Sequence, residues 1–201
     1  NVGKSTLINA LLGQKITAVS PRPQTTRKRQ MGILNIHNPD LNAQIVFVDT
    51  PGLHQPRHRL GELMNRDAVK SLEEGDVILL INDASQPPND EDFFLFNLLR
   101  QLQISRPIIL ALNKIDLIDQ QTLQMNQQIL LKQVPNAEPV QISALNSKNL
   151  DQLLSSILQV LPEEEPFFPD DQLTDLKERD LAADLIREAA LIQLRDEVPH
   201  G

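Results

Sequence analysis

Residues 107–116 read PIILALNKID, and this stretch decides the fold class. An unbroken apolar run, Pro107–Leu112, fits a strand buried on both faces, as in a parallel sheet covered by helices. It stops abruptly at Asn113-Lys114-Ile115-Asp116, which places amide and charged groups at a strand's carboxyl end. A similar run, Asp76–Ile81 (DVILLI), lies upstream. Between the two, Asn89-Asp90 opens a helical pattern over Glu91–Leu102. Strand, helix, strand in this order argues for an α/β fold with a mainly parallel sheet flanked by helices.

Outward from this unit the pattern continues. Toward the amino end, residues 5–12 (STLINALL) read as helix stopped by Gly13, and residues 14–30 as a loop. Ile33–His37 and Gln44–Val48 read as short strands separated by Asn38-Pro39-Asp40, followed by a loop over 49–58 and a helix over Leu60–Glu74. Toward the carboxyl end come a helix over Gln120–Val134, a strand over Val140–Ser143 and a helix over Leu150–Leu161. Pro162-Glu163-Glu164-Glu165-Pro166 then breaks the pattern and reads as an exposed linker. Residues 173–194 resume an amphipathic helical spacing.

Composition bounds the function. The 201 residues suffice for one full domain and part of a second. Cysteine is absent, which excludes disulfide scaffolds, thiolate zinc sites and cysteine nucleophiles. No apolar run approaches the roughly 18 residues of a membrane span, and no secretory signal opens the chain. Lys plus Arg and Asp plus Glu balance over residues 1–161, so the net charge of −8 falls entirely on residues 162–201. That shift marks a domain boundary. Neither part is basic enough to indicate nucleic-acid binding from charge alone.

Four short motifs carry chemistry. Gly3-Lys4-Ser5 lies at a loop-to-helix junction, where amides cradle phosphate, a lysine reaches it and a hydroxyl binds Mg²⁺. Asp49-Thr50-Pro51-Gly52 follows a strand; its carboxylate can hold Mg²⁺ and the Gly52 amide can meet a γ-phosphate. In Asn113-Lys114-Ile115-Asp116, the Asp116 carboxylate can accept both the N1–H and the exocyclic amine of guanine, a pair adenine cannot supply. The Asn113 amide can meet guanine O6/N7 and tie neighbouring loops, and the Lys114 stem can cover the purine face. Ser143-Ala144-Leu145 follows the last strand, where the Ala144 amide could donate to guanine O6. Taken singly, the first three have ordinary alternatives, a helix capped by Ser5, a Pro-Gly turn and a helix cap at Asp116, and the fourth has almost no specificity. Their order, and the position of three of them after strands, make a guanine-nucleotide site the joint reading.

With NVGKST, DTPG, NKID and SAL in this order, the chain resembles a translation-factor-class P-loop GTPase. LLGQKI (11–16), SPRPQTTRKR (20–29), DTPGLH (49–54) and LRDEVPHG (194–201) make it most similar to the Era family. The related Der and MnmE families share the GTPase motifs but not this tail. A nucleotide-dead relative stands as a third reading, opposed by intact Lys4, Ser5, Asp49 and Asp116.

The resemblance implies a GTPase domain over 1–161, a linker over 162–172 and the start of a KH RNA-binding domain over 173–201. It implies GTP/GDP and Mg²⁺ as cofactors, with Asn1, Val2, Gly3, Lys4, Ser5 and Thr6 around the phosphates. Ser5, Asp49 and a switch threonine, Thr26 or else Thr25, would serve the metal. Gly52 would sense the γ-phosphate, and Asn113, Lys114, Asp116, Ser143 and Ala144 would surround the base. Asn1, Lys4 and Thr26 would act in hydrolysis. Leu53 cannot hydrogen-bond an attacking water, and Asn1 would help hold a K⁺ ion that supplies charge instead. Arg27-Lys28-Arg29 reads as a solvated cluster, or as a contact with RNA phosphates or the nucleotide. His54 and His58 are too sparse for a metal site. The implied role is GTP hydrolysis as a switch in small-ribosomal-subunit assembly, with ribosomal RNA as partner, in the cytoplasm and peripherally at the inner face of the membrane. Without an initiator Met, and opening within a motif, the chain reads as truncated at both ends. The piece alone is then expected to be poorly stable and to bind nucleotide weakly.

Overall fold

In the computed structural model, the residues that can be described are 2–17, 30–50 and 68–176, with residues 179, 181–183, 185, 186 and 189 beyond them. They fall into two compact units.

The first unit holds residues 3–17, 30–50 and the described residues from 166 onward. Its helix α1 spans Lys4–Leu12 and buries Leu7, Ile8 and Leu11. Strands β1 (Gln30–Asn38) and β2 (Leu41–Asp49) form an antiparallel pair with Gln30 opposite Asp49. Both strands run longer than the sequence suggests, because backbone pairing extends the ladder over positions, such as Gln30, Asn38 and Asn42, that no hydrophobic pattern marks. Gly32 permits the close packing of α1 on β1: a Cβ there would lie 2.8 Å from Leu12 Cδ1 and 3.1 Å from Ile8 Cγ2 and Ile16 Cδ1.

Residues 167–175 follow the outer edge of β1. The Gln44 side chain accepts the Phe167 and Phe168 amides and donates to the Phe168 carbonyl. The Ile33 amide donates to the Leu173 carbonyl at 2.8 Å, and Asp175 accepts the Met31 amide. Glu163–Glu165 are exposed. Thr174 bridges to Gly32 rather than opening a helix, since an unpaired strand edge offers it backbone partners. Residues 181–183, 185, 186 and 189 are helical.

The second unit holds Val2 and the described residues of 68–165. Residues 68–74 are helical (α2). Strands β3 (Ile78–Asp83), β4 (Ile108–Asn113) and β5 (Glu138–Gln141) form a parallel sheet in that order. Helix α3 (Asp90–Gln101) joins the first two strands, and α4 (Gln120–Gln133) and α5 (Leu150–Val160) follow β4 and β5. Side chains alternate between sheet faces. Leu80, Leu110 and Leu112 join Phe96 and Leu99 of α3 and Leu123 and Leu130 of α4 in one core cluster. Contacts with α5 involve β4 and β5. Burial on both faces explains the unbroken apolar run of β4.

Two helix starts in this unit are fixed by side chains. Asn89 and Asp92 form a capping box at α3, and Asp119 caps α4 through the Thr122 amide. Asp116 caps neither; it sits inside a short 3-10 turn, Ile115–Leu117.

Candidate functional site

In the first unit, the amino end of α1 is built for an anion. Its N-cap is Gly3 in the left-handed region, φ 97°, with no side-chain capping bond. That conformation favours glycine, and it leaves the first-turn amides without a side-chain acceptor, the arrangement that receives phosphate. Lys4 begins the helix, and Lys4 and Thr6 are half-buried. Ser5 does not cap the helix; its Oγ donates to Asp49 Oδ2 at 3.3 Å. Asp49 is the last residue of β2 and 2% exposed. A hydroxyl and a carboxylate oxygen side by side, at an anion-attracting helix end, suit Mg²⁺, a hard cation that completes its shell with phosphate and water oxygens. Asn9 fixes the chain after the helix: its side chain accepts the Ile16 and Thr17 amides at 2.9 Å and donates to the Thr17 carbonyl.

In the second unit, β4 delivers Asn113, which is 3% exposed. Asn113 Oδ1 accepts the Ala144 amide at 2.9 Å, and Nδ2 donates to the Val2 carbonyl at 2.8 Å. Both amide groups of Asn113 thus tie segments together, one at Val2 and the other at the Ala144 loop. The Ala144 amide, read as a donor to guanine O6, is engaged by Asn113 here. Ser143 is fully buried; its backbone pairs with Lys148 in both directions, and its Oγ accepts the Asn146 amide, closing the loop on itself. Leu145 projects from that loop at 79% exposure.

Lys114 has φ 68°, the left-handed region, which side chains beyond Cβ adopt rarely. Its Nζ pairs with Asp83 Oδ2 at 2.5 Å. Burial raises the Asp83 pKa, but hydrogen bonds from Lys114 and Ser85, with the lysine's charge, outweigh it and hold the carboxyl below the ordinary aspartate value. Asp116 is exposed, two residues along the chain.

Asp83 was not legible as part of the site. The only signal for it is the one that marked Asp49, a carboxylate at a strand's carboxyl end. Asn1, Thr25, Thr26, Gly52 and Leu53, together with Arg27–Arg29, His54 and His58, lie outside the described residues. Among the described residues, no helix is long and apolar enough to cross a membrane.

Residues 1–114 match the family model described as 50S ribosome-binding GTPase. The chain is 46% identical over 205 residues to the GTPase Era of Aquifex aeolicus, covering 99% of itself and 66% of that protein. It thus spans just under two thirds of the length of this curated relative. Among solved structures it is similar to an Aquifex aeolicus Era variant bound to GDP and AlF4⁻, with a TM-score of 0.88 and 44% identity over 99% of this chain and 66% of that one. It is similar also to Era in complex with MgGDPNP and nucleotides 1506–1542 of 16S ribosomal RNA, with a TM-score of 0.90 and 45% identity over the same shares.

Proposed function

This chain belongs to the Era branch of the P-loop GTPase family whose model it matches, and from that premise we propose that it binds and hydrolyses GTP as the switch of a small-ribosomal-subunit assembly factor. The observation that carries the nucleotide reading is the pairing of Ser5 with Asp49 beside the uncapped helix behind Gly3. The solved relatives named above hold guanine nucleotide, one of them with magnesium.

In this reading the first-turn amides of α1 and the Lys4 ammonium take the β- and γ-phosphates. Ser5 and Asp49 hold Mg²⁺, which when bound supplies charge to the phosphate oxygens. Thr26 closes switch I, and Gly52 meets the γ-phosphate. Asp116 reads the base by accepting from two guanine donors. Asn113 keeps the Ser143–Ala144 loop in place through the Ala144 amide, the donor assigned to guanine O6. Asn1 would help hold a K⁺ ion that supplies charge beside the phosphates, since Leu53 cannot hydrogen-bond the attacking water.

The RNA partner follows from the relative solved with 16S ribosomal RNA. The GTPase domain occupies residues 1–161, with a linker over 162–172 and a KH domain beginning at 173. A cytoplasmic site of action, with peripheral contact to the membrane's inner face, belongs to the same proposal. The test is phosphate release from GTP and from ATP by the full-length protein, in KCl and in NaCl, with a 16S ribosomal RNA fragment titrated in the presence of GTP or GDP. Release specific to GTP, faster in KCl, and RNA affinity that depends on the nucleotide support the reading. Equal release from ATP, or RNA binding indifferent to nucleotide, contradicts it.

A further inference from the structure

The loop after β3 is built more firmly than a surface turn requires. Asp83, the last residue of β3, lies opposite Asn113 in the register of β3 and β4. Asp83 Oδ1 accepts from the Ser85 amide at 3.0 Å and from Ser85 Oγ at 2.6 Å, while Oδ2 takes the Lys114 ammonium. The Ala84 amide donates to the Asn113 carbonyl at 2.9 Å. From α4, Asn126, 6% exposed, donates to the Ala84 carbonyl at 3.0 Å and the Gln86 carbonyl at 3.4 Å. Both carboxylate oxygens of Asp83 are thus occupied, and the backbone on either side is fixed from β4 and from α4.

A solvent-exposed ion pair would contribute little, because ordering two long side chains offsets the attraction. Here the acid is short, 21% exposed and already fixed by Ser85, so the ordering falls on the lysine alone. We propose that Asp83 is a positioning residue for Lys114, pinning its ammonium so that the aliphatic stem stands ready as a surface for the face of the bound guanine. This rests on the guanine-nucleotide reading above and adds to it a residue outside the four motifs. Preorganisation is the physical gain: a four-carbon side chain otherwise loses its rotamer freedom when the base arrives.

A double-mutant cycle tests it. GDP binding to the full-length protein is measured by calorimetry for the wild type, Asp83→Ala, Lys114→Ala and the double variant, with the unfolding temperature of each read without nucleotide. Each single change is expected to weaken binding about tenfold, and the double to bind no worse than Lys114→Ala alone. Asp83→Asn, which keeps an acceptor for Ser85, serves if the alanine variant does not fold. It should weaken GDP and inosine diphosphate by the same factor, because the stem covers a ring and not the exocyclic amine. Equal losses from Asp83→Ala with and without Lys114 would show a purely structural residue and overturn the inference. Failure of the wild type to bind guanine nucleotides would instead overturn the nucleotide reading and this inference with it.

Discussion

Asn113 and Ala144 are 31 residues apart, and the side chain of the first holds the backbone of the second: Oδ1 accepts the buried amide at 2.9 Å. The other end of the same side chain donates to the Val2 carbonyl. Asn113→Ala strands a buried donor and an acceptor together, and should cost about 2–4 kcal/mol of stability. Asn113→Asp keeps the acceptor for Ala144, and once protonated it also regains a donor for the Val2 carbonyl, so its cost should fall as the pH is lowered. Urea unfolding of the full-length variants checks this; a loss below about 0.5 kcal/mol for the alanine variant would contradict it.

Ser5 and Asp49 meet across 44 residues of sequence, where both would serve one cation. Ser5→Ala removes the hydroxyl while leaving the helix start, which Ser5 does not cap, intact. GTP affinity of the wild type should fall when Mg²⁺ is chelated, and that of Ser5→Ala should change little. An undiminished Mg²⁺ dependence in the variant would remove Ser5 from the metal site.

Gly32 lies where three methyl groups converge, from Ile8, Leu12 and Ile16. Gly32→Val must displace all three in a packed core, which costs about 1–3 kcal/mol. Leu12 Cδ1 is the tip of a flexible side chain, so Gly32→Ala should sit at or below the lower end of that range. Thermal unfolding of both variants reads the order; equal midpoints for alanine and valine would be inconsistent with the packing described.

The Asp83 carboxyl is held below the ordinary aspartate value in the folded chain. A folded-state pKa below the unfolded one adds stability that is complete above the unfolded value and disappears as pH falls through the folded value. The stability difference between wild type and Asp83→Asn should therefore be constant from about pH 8 to about pH 5 and shrink only in stronger acid. Denaturant midpoints across that range measure it. A difference that already declines between about pH 7 and pH 6 would assign the effect to another group.

The strands of the second unit were legible because burial on both faces leaves an unbroken apolar record, as in Pro107–Leu112. The hairpin was legible only in its middle. Gln30, Asn38, Leu41 and Asn42 pair through backbone groups, which side-chain periodicity does not register. Prolines and acids mark Pro162–Pro166 as an exposed linker, and only the family resemblance carries it on to residue 172. Its attachment runs through Gln44 and main-chain amides, partners no local pattern reveals. Within the site, Ser5, Asp49, Asn113 and Ala144 were named from short motifs, and the structure pairs them as Ser5 with Asp49 and Asn113 with Ala144. Asp83 was missed because its partner, Lys114, is a neighbour only through sheet register.

If Asp116 selects guanine, calorimetry of the full-length protein with GDP, ATP and xanthosine diphosphate, alongside Asp116→Asn, shows it. The wild type should bind GDP and not ATP, and the variant should lose GDP by at least about a hundredfold while gaining the xanthine nucleotide. Equal binding of ATP and GDP, or an Asp116→Asn variant that keeps its preference for guanine, would contradict it.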